Sequence, residues 1–318
     1  SLAEDVTSLA GIGGNGTSPS HCQGDLLNLP QMKALKVPKP SSVEAYAIKQ
    51  TGSIATVEKE QIFFFKPSSW LECLEQQGLT GEILGEVGEF WRGVRPDDPK
   101  LWNNPMTKVK GWRDKFQAML LHGDAGPHQK HDSINTYSIK SLTAPEGVGV
   151  FDTYLLLFAV PNACRCTQKK CADLGLPFVE DTLDALGREL VKDFNMLFDA
   201  AKLIVWVATA DCEHLSKDYG LPNHGNKDAP CMRCGCNKHT IPISDVSPGA
   251  SWRSKCYTPK QLSENPLTDH WLLKVKGFSH FSWVYDPMHC QEIGSTQHAL
   301  ANVFYDVFYK HLAGRNAP

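Results

Sequence analysis

Two aspartates follow apolar runs that have the composition of buried strands. Asp124 ends a run that begins at Phe116, and Asp211 follows the β-branched run over residues 203–208. Two carboxylates that lie close together repel each other, and a shared divalent cation relieves that repulsion. Two Mg²⁺ or Mn²⁺ ions bound to such oxygens can stabilise both the attacking and the leaving oxygen in phosphoryl transfer. If their strands are neighbours, the two aspartates indicate a two-metal site.

A second group of residues has the spacing of zinc ligands. Cys231 and Cys234 form a CxxC pair, and thiolates with imidazoles in a tetrahedron suit Zn²⁺. We predict that His224 and His239 complete the set, and we set Cys236 aside because it follows Cys234 by only two residues. The more distant alternatives are Cys212, His214 and Cys256. A zinc ion here would be structural, because a loop-rich segment has little apolar mass of its own. Unligated thiols are the competing interpretation.

Two smaller groups carry weaker signals. One is a set of thiols in an irregular CxCx4C spacing: Cys164, Cys166 and Cys171. The other is a set of imidazoles around the first aspartate: His122, His128 and His131. We interpret the thiols as incidental and the histidines as surface residues near a turn, so neither group enters the predicted site.

The pattern from residue 115 onwards predicts the elements that would hold the aspartates. Period-2 and apolar runs indicate strands over residues 116–124, 134–142, 148–160 and 203–209, with a helix over 180–201 between the last two. Three consecutive strands followed by a helix crossing to another strand is the order of the ribonuclease H-like core. In that arrangement the first and fourth strands are neighbours, so Asp124 and Asp211 converge.

A third acid would complete such a site. A helix is predicted to begin after Asp286 and Pro287, and it would carry Glu292 near its start. Glu292 is the predicted third ligand, and Asp286 is the runner-up. A helix cap is the competing explanation for Asp286.

The predicted fold is α/β, a ribonuclease H-like mixed sheet flanked by helices. Residues 1–30, rich in Gly, Ser and Thr, are expected to form a flexible tail, and residues 31–113 a small, mostly helical region. The ribonuclease H-like domain is expected over 114–318, with a zinc-binding insertion at about 212–280 before the last helix.

Composition narrows the class of protein. A chain of 318 residues with 42% hydrophobic and 21% charged residues can bury a sizeable core. Its formal charge of −3 argues against a surface that is basic all over, although a local basic face is compatible with it. No apolar run reaches the roughly 20 residues that span a bilayer, and 11 cysteines without a secretory signal favour reduced thiols. We therefore expect an intracellular protein without a membrane partner.

Five short motifs occur in an order that resembles DDE/D transposases of the CACTA (EnSpm-like) type. They are HGD (122–124), ATAD (208–211), GLPNH (220–224), PCMRC (230–234) and DPMH (286–289). The resemblance covers roughly residues 115–312. It implies a ribonuclease H-like catalytic domain of mobile-element origin that cleaves and transfers DNA strands with divalent metal. Asp124 and Asp211 match the first two acids, and the third falls on Glu292 or a neighbouring position. DNA as partner and a nuclear location follow from that function, and self-association is left open.

Two other functions fit the same sequence. One is a catalytically inactive or domesticated transposase remnant that binds nucleic acid or protein and is stabilised by zinc. The other is a ribonuclease or exonuclease on the same fold, since a fold does not fix a function. The inactive remnant predicts acids that are splayed apart, engaged in helix caps or paired with Lys or Arg, whereas an enzyme requires them to meet.

Overall fold

The computed structural model describes residues 37–51, 53–128, 132–145, 153–222, 226–242, 244–245 and 247–286. The strands in this part of the chain are β1 (Ser41–Thr51), β2 (Ile54–Phe64), β3 (Gln117–His128), β4 (Asp132–Ser141), β5 (Leu155–Pro161), β6 (Leu203–Ala210) and β7 (Trp283–Tyr285). The α-helices are α1 (Pro67–Gln77), α2 (Thr80–Leu84), α3 (Val87–Gly93), α4 (Gln168–Asp173), α5 (Thr182–Asp199), α6 (Cys212–Lys217) and α7 (Pro259–Glu264). Together they form an α/β fold in which helices flank a mixed sheet.

The central sheet has five strands in the order β5-β4-β3-β6-β7. β4 is antiparallel to both of its neighbours, whereas β6 is parallel to both β3 and β7. The four predicted strands and the predicted helix between them are confirmed as β3, β4, β5, α5 and β6. The chain therefore crosses through α5 and returns to pair β6 with β3, as the aspartate prediction requires.

One face of the sheet packs on α5. Leu186, Leu190 and Phe194 recur at helical spacing and are fully buried in the same cluster as Leu121 of β3. The helix begins where Asp181 accepts a hydrogen bond from the Leu183 N–H at 2.9 Å. Each fully buried apolar side chain contributes about 1.5–3 kcal/mol, so this face supplies much of the cohesion between α5 and the sheet.

The opposite face of the sheet is partly covered by residues 87–115, which we call the helical lobe. It consists of α3 followed by short 3-10 turns. Trp91 and Met106 of the lobe share a buried cluster with Ala118 of β3 and Trp206 of β6. The indole N–H of Trp91 donates to the carbonyl oxygen of Phe116 at 2.7 Å. This contact fixes the lobe to the start of β3.

The hairpin formed by β1 and β2 was not among the predicted elements. The sequence predicts a mostly helical region over 31–113, but the structure has two 11-residue strands within it. Charged pairs hide the strand pattern: Lys59 lies 2.6 Å from Glu44 across the hairpin, and Lys49 lies 3.1 Å from Glu60. The hairpin is fixed to α5 because Thr182 Oγ1 donates to the Tyr46 carbonyl at 2.6 Å.

The segment before β7 corresponds to the predicted insertion at about 212–280. Within its described residues it contains α6, α7 and short 3-10 turns, and most of the remaining backbone is irregular. The short strand β7 was not predicted, and it extends the sheet beyond β6. The expected tail over 1–30 and the expected last helix after Pro287 lie outside the described residues.

Candidate functional site

Three carboxylates lie where the parallel pairing of β3, β6 and β7 ends. Asp124 is within β3, whose antiparallel pairing with β4 continues to His128, whereas Asp211 and Asp286 directly follow β6 and β7. The last registered pair of β3 and β6 is His122 with Thr209, so Asp124 and Asp211 each stand two residues beyond it. The last pair of β6 and β7 is Ala210 with Tyr285, so Asp211 and Asp286 each stand one residue beyond it. Neighbouring strands are about 4.8 Å apart. We call Asp124, Asp211 and Asp286 the carboxylate row.

Strand alternation gives the face of the sheet on which Asp124 lies. Leu121 of β3 packs in the α5 cluster, and Asp124 stands three residues after it. Because side chains alternate along a strand, Asp124 belongs to the face opposite α5, which the helical lobe also covers. Asp211 and Asp286 follow the last residues of β6 and β7, and the Asp211 side chain turns to cap α6.

The hydrogen bonds of the first two carboxylates are local. Asp124 Oδ1 accepts from the N–H of Ala125 at 2.8 Å. Asp211 is the N-cap of α6, and its Oδ1 accepts from the His214 N–H at 2.6 Å. Neither carboxylate forms an ion pair with a lysine or arginine in the described part of the chain, and both side chains are partly exposed. Both carboxylates therefore keep an oxygen that no cationic side chain engages, but the ligand atoms of the three row members do not all lie within 4.8 Å of one another.

A buried polar network connects α6 to the neighbouring strands. His214 Nε2 lies 3.0 Å from the hydroxyl of Tyr137 in β4, and Nδ1 lies 3.0 Å from Asp218 Oδ2. Asp218 also pairs with Arg165, which pairs with Asp181 at 3.0 Å. The network holds the start of α6, and with it Asp211, against the strands that carry Asp124.

The same network explains the pKa of its central carboxyl. Burial alone would raise the pKa of Asp218, but the hydrogen bond with His214 and the charge of Arg165 outweigh it and lower the pKa to about 2. The Asp218 side chain is therefore a carboxylate at neutral pH. Its negative charge is paired with Arg165 within the network and is not part of the carboxylate row.

Three sulfur atoms form a group that could hold a metal ion. The Sγ atoms of Cys231, Cys234 and Cys236 all lie within 4.8 Å of one another. A tetrahedral zinc site with Zn–S bonds of about 2.3 Å has sulfur atoms roughly 3.8 Å apart, so the donor set fits with little movement. Burial raises the pKa of Cys234 to about 12, so a bound cation would have to displace its proton.

The composition of this group differs from the predicted ligand set. Cys236, which the spacing argument set aside, belongs to it, while His239 is exposed and outside it. The backbone around Cys234 accounts for this, because it forms an isolated antiparallel β-bridge with the backbone of Cys256, and in an extended segment residues two apart share a face. Cys256 itself is exposed, and its sulfur is not in the group. The predicted ligand His224 lies outside the described residues.

Arg233 fixes the thiol group to the edge strand of the sheet. Its guanidinium donates to the carbonyl oxygens of His280 at 2.8 Å and Phe281 at 3.3 Å, and also to that of Trp283. Trp283 is fully buried at the start of β7. The thiol group and Asp286 are therefore attached to the same short strand.

The remaining candidates are outside the row and the thiol group. Cys166 and Cys171 are buried with sulfur atoms 3.3 Å apart, whereas Cys164 is exposed. His122 is half-buried, and its ring centroid lies 5.8 Å from that of Tyr154. Glu292 and His131 lie outside the described residues, and so does the side chain of His128. Asp286 is the runner-up prediction for the third acid. The apolar residues 283–285 before it were the sequence signal that a short strand precedes this carboxylate.

A groove of about 1020 Å³ adjoins the middle of the row. It reaches Asp211 from the β4–β5 edge of the sheet, and its lining contains lysines such as Lys169 and Lys217 together with carboxylates such as Asp173 and Glu213. The lysines are donors that a phosphate could accept from, whereas the carboxylates repel it.

No protein-family model, curated protein or solved structure matches the chain. In the described part of the chain, no helix has both the length and the apolar composition needed to cross a bilayer. The functional argument therefore depends on the geometry of the carboxylate row and the thiol group.

Proposed function

We propose that this chain is a ribonuclease H-like nuclease of the transposase type, which cleaves and joins DNA strands with divalent metal. The observation that supports it is that Asp124 and Asp211 each stand two residues beyond the last registered pair of the adjacent parallel strands β3 and β6. The strand order with β3 in the centre, and the antiparallel β4 and β5 on one side of it, supports the fold assignment. The resemblance of the ordered motifs to CACTA-type transposases supports the choice of DNA as substrate.

The row supplies oxygen ligands of the kind that hard cations prefer. Bound Mg²⁺ or Mn²⁺ would activate the attacking oxygen and stabilise the leaving oxygen of the phosphodiester. Asp124 and Asp211 would hold the cations between them. Asp286 is the third carboxylate that the register brings to this edge, and Glu292 remains the alternative third ligand predicted from sequence.

The thiol group has a structural part in this proposal. Cys231, Cys234 and Cys236 would hold Zn²⁺ together with a fourth ligand, for which His224 remains the sequence prediction. The site would stabilise a segment that has little regular structure and would keep β7 in place through Arg233.

A nicking assay on supercoiled DNA tests the catalytic part. We expect the full chain to relax the plasmid in Mg²⁺ or Mn²⁺, and Asp124→Asn or Asp211→Asn to reduce the rate at least a hundredfold, because a metal ligand is lost. Asp228→Asn removes an exposed carboxylate outside the row and serves as the matched control. Equal nicking by the wild type and both row variants would refute the proposal. The nicking rates of Asp286→Asn and Glu292→Gln are compared in the same assay, and the variant with the larger loss identifies the third ligand.

One observation favours a second candidate function. Asp211 caps α6, a role that an aspartate after a strand fills without any catalysis. A catalytically inactive, zinc-stabilised binding module would keep this cap and the thiol group. It predicts zinc in the purified protein and no metal-dependent nicking, so the same assay with elemental analysis separates the two functions.

A further inference from the structure

The helical lobe carries a concentration of positive charge in an otherwise acidic chain. Residues 87–115 contain seven Lys or Arg and four Asp or Glu, a formal charge of +3. The whole chain has a formal charge of −3, so the residues outside the lobe carry −6. The composition of the full chain therefore conceals a local basic surface.

Most of these cations have no carboxylate partner. Arg95 pairs with Asp97, and Lys100 pairs with Asp98. The other five are exposed and form no ion pair within the described residues: Arg92, Lys108, Lys110, Arg113 and Lys115. Uncompensated cations on one small element are the electrostatic pattern expected of a phosphate-binding surface.

Aromatic side chains lie among these cations. Trp102 is 44% exposed, although large apolar residues of the lobe such as Trp91 and Met106 are buried. The guanidinium of Arg113 lies 4.3 Å from the ring centroid of Trp112. An indole keeps this guanidinium extended at the surface without neutralising its charge. The lobe thus offers fixed charge together with an exposed ring.

The position of the lobe relates this surface to the carboxylate row. The lobe covers the start of β3 on the face of the sheet opposite α5, and Asp124 lies on that same face toward the end of the strand. Seven residues separate Gln117 from Asp124, which at about 3.3 Å per residue corresponds to roughly 23 Å. The phosphates of one strand recur every 3.4 Å along the axis of a duplex, so this span corresponds to roughly seven base pairs.

We propose that the basic surface of the helical lobe binds the phosphate backbone of duplex DNA about seven base pairs from the carboxylate row. The proposal rests on the proposed function for the choice of DNA. The contacts would be to phosphates and not to base edges, so binding would be independent of sequence and sensitive to salt.

Binding of the full chain to a fluorescent 25-base-pair duplex, without divalent metal so that no cleavage occurs, tests the proposal. The test variant is K108Q/K110Q/K115Q. The matched control, K49Q/K192Q/K260Q, removes the same charge from lysines that are already paired with glutamates. We expect the test variant to bind at least about tenfold more weakly than the control, and the slope of log K against log salt to fall by about 2–3. Circular dichroism and Tm verify that both variants fold.

Equal affinities of the two triple variants would overturn the proposal. So would a test variant that loses affinity for duplex RNA or for phosphatidylserine vesicles but not for duplex DNA. Failure of the catalytic proposal is distinguishable: it would appear as absent nicking in Mg²⁺ while the lobe variant still loses affinity. If nicking occurs and the lobe variant binds DNA as the control does, only the lobe assignment is wrong.

Discussion

Gly123 lies against the imidazole of His214, so closely that a β-carbon at residue 123 would stand 2.6 Å from Nε2. The hydroxyl of Tyr219 would be at the same distance. The glycine that precedes Asp124 is thus required by packing against the network that positions Asp211. The strand conformation does not require it, because its φ is not in the left-handed region.

A methyl group at this position should destabilise the protein. We expect Gly123→Ala to lower the free energy of unfolding by about 1–3 kcal/mol, because His214 and Tyr219 are buried and have little room to move. Gly126→Ala, on the same strand, is the control, since nothing lies within 4 Å of its added carbon. Urea unfolding of both variants gives the comparison. Similar stabilities of the two variants would show that His214 and Tyr219 move enough to accommodate the added methyl group.

The low pKa of Asp218 predicts how stability depends on pH. A carboxyl whose pKa is about 2 when folded and near 3.8 when unfolded stabilises the protein above pH 4. This stabilisation is lost as the pH falls toward 2. Between pH 5 and pH 2.5 we expect the wild type to lose about 1.5 kcal/mol more than Asp218→Asn. Denaturant titrations at both pH values measure the free energy of unfolding. Equal losses in the wild type and in Asp218→Asn would contradict the pairing of Asp218 with His214 and Arg165.

The sequence predicts those elements of the fold whose apolar residues recur with the period of a helix or of a strand. The helix α5 and the strand β6 satisfy this condition, because each buries apolar residues against the same cluster. The hairpin does not, since its strands are held by pairs such as Lys59 with Glu44, whose charges resemble a polar loop. β7 has only three residues, which is too short for any periodicity.

The residues of the candidate site also differ in whether a local sequence pattern predicts them. Asp124 and Asp211 follow long apolar strands, and the predicted adjacency of those strands is confirmed by their pairing. Ligand spacing did not predict Cys236 as a member of the thiol group. Its place there depends on an isolated β-bridge between the backbones of Cys234 and Cys256, which belong to distant segments. Long-range pairing of this kind leaves no local pattern.

The thiol group predicts which substitutions release metal. We expect the purified protein to contain zinc, and Cys236→Ser to lose it as fully as Cys234→Ser does, because both sulfurs belong to the group. His239→Ala should retain it, since that imidazole is exposed and outside the group. Loss of zinc should lower Tm by roughly 4–8 °C, equivalent to about 2 kcal/mol. Elemental analysis and thermal melts provide the data, and metal loss on substituting His239 but not Cys236 would reverse the assignment.

Arg233 is the connection between the thiol group and β7, and lysine should not replace it. The guanidinium reaches three carbonyl oxygens at residues 280–283, whereas an ammonium cannot span them. Arg233→Lys should therefore lower the free energy of unfolding by about 1–3 kcal/mol and speed hydrogen exchange at β7 amides. Arg253→Lys is the control, because that side chain is exposed and donates to one carbonyl at 3.1 Å. If β7 exchanges at the same rate in both variants, Arg233 does not hold the strand, and Asp286 must be kept in register by the pairing of β6 and β7 alone.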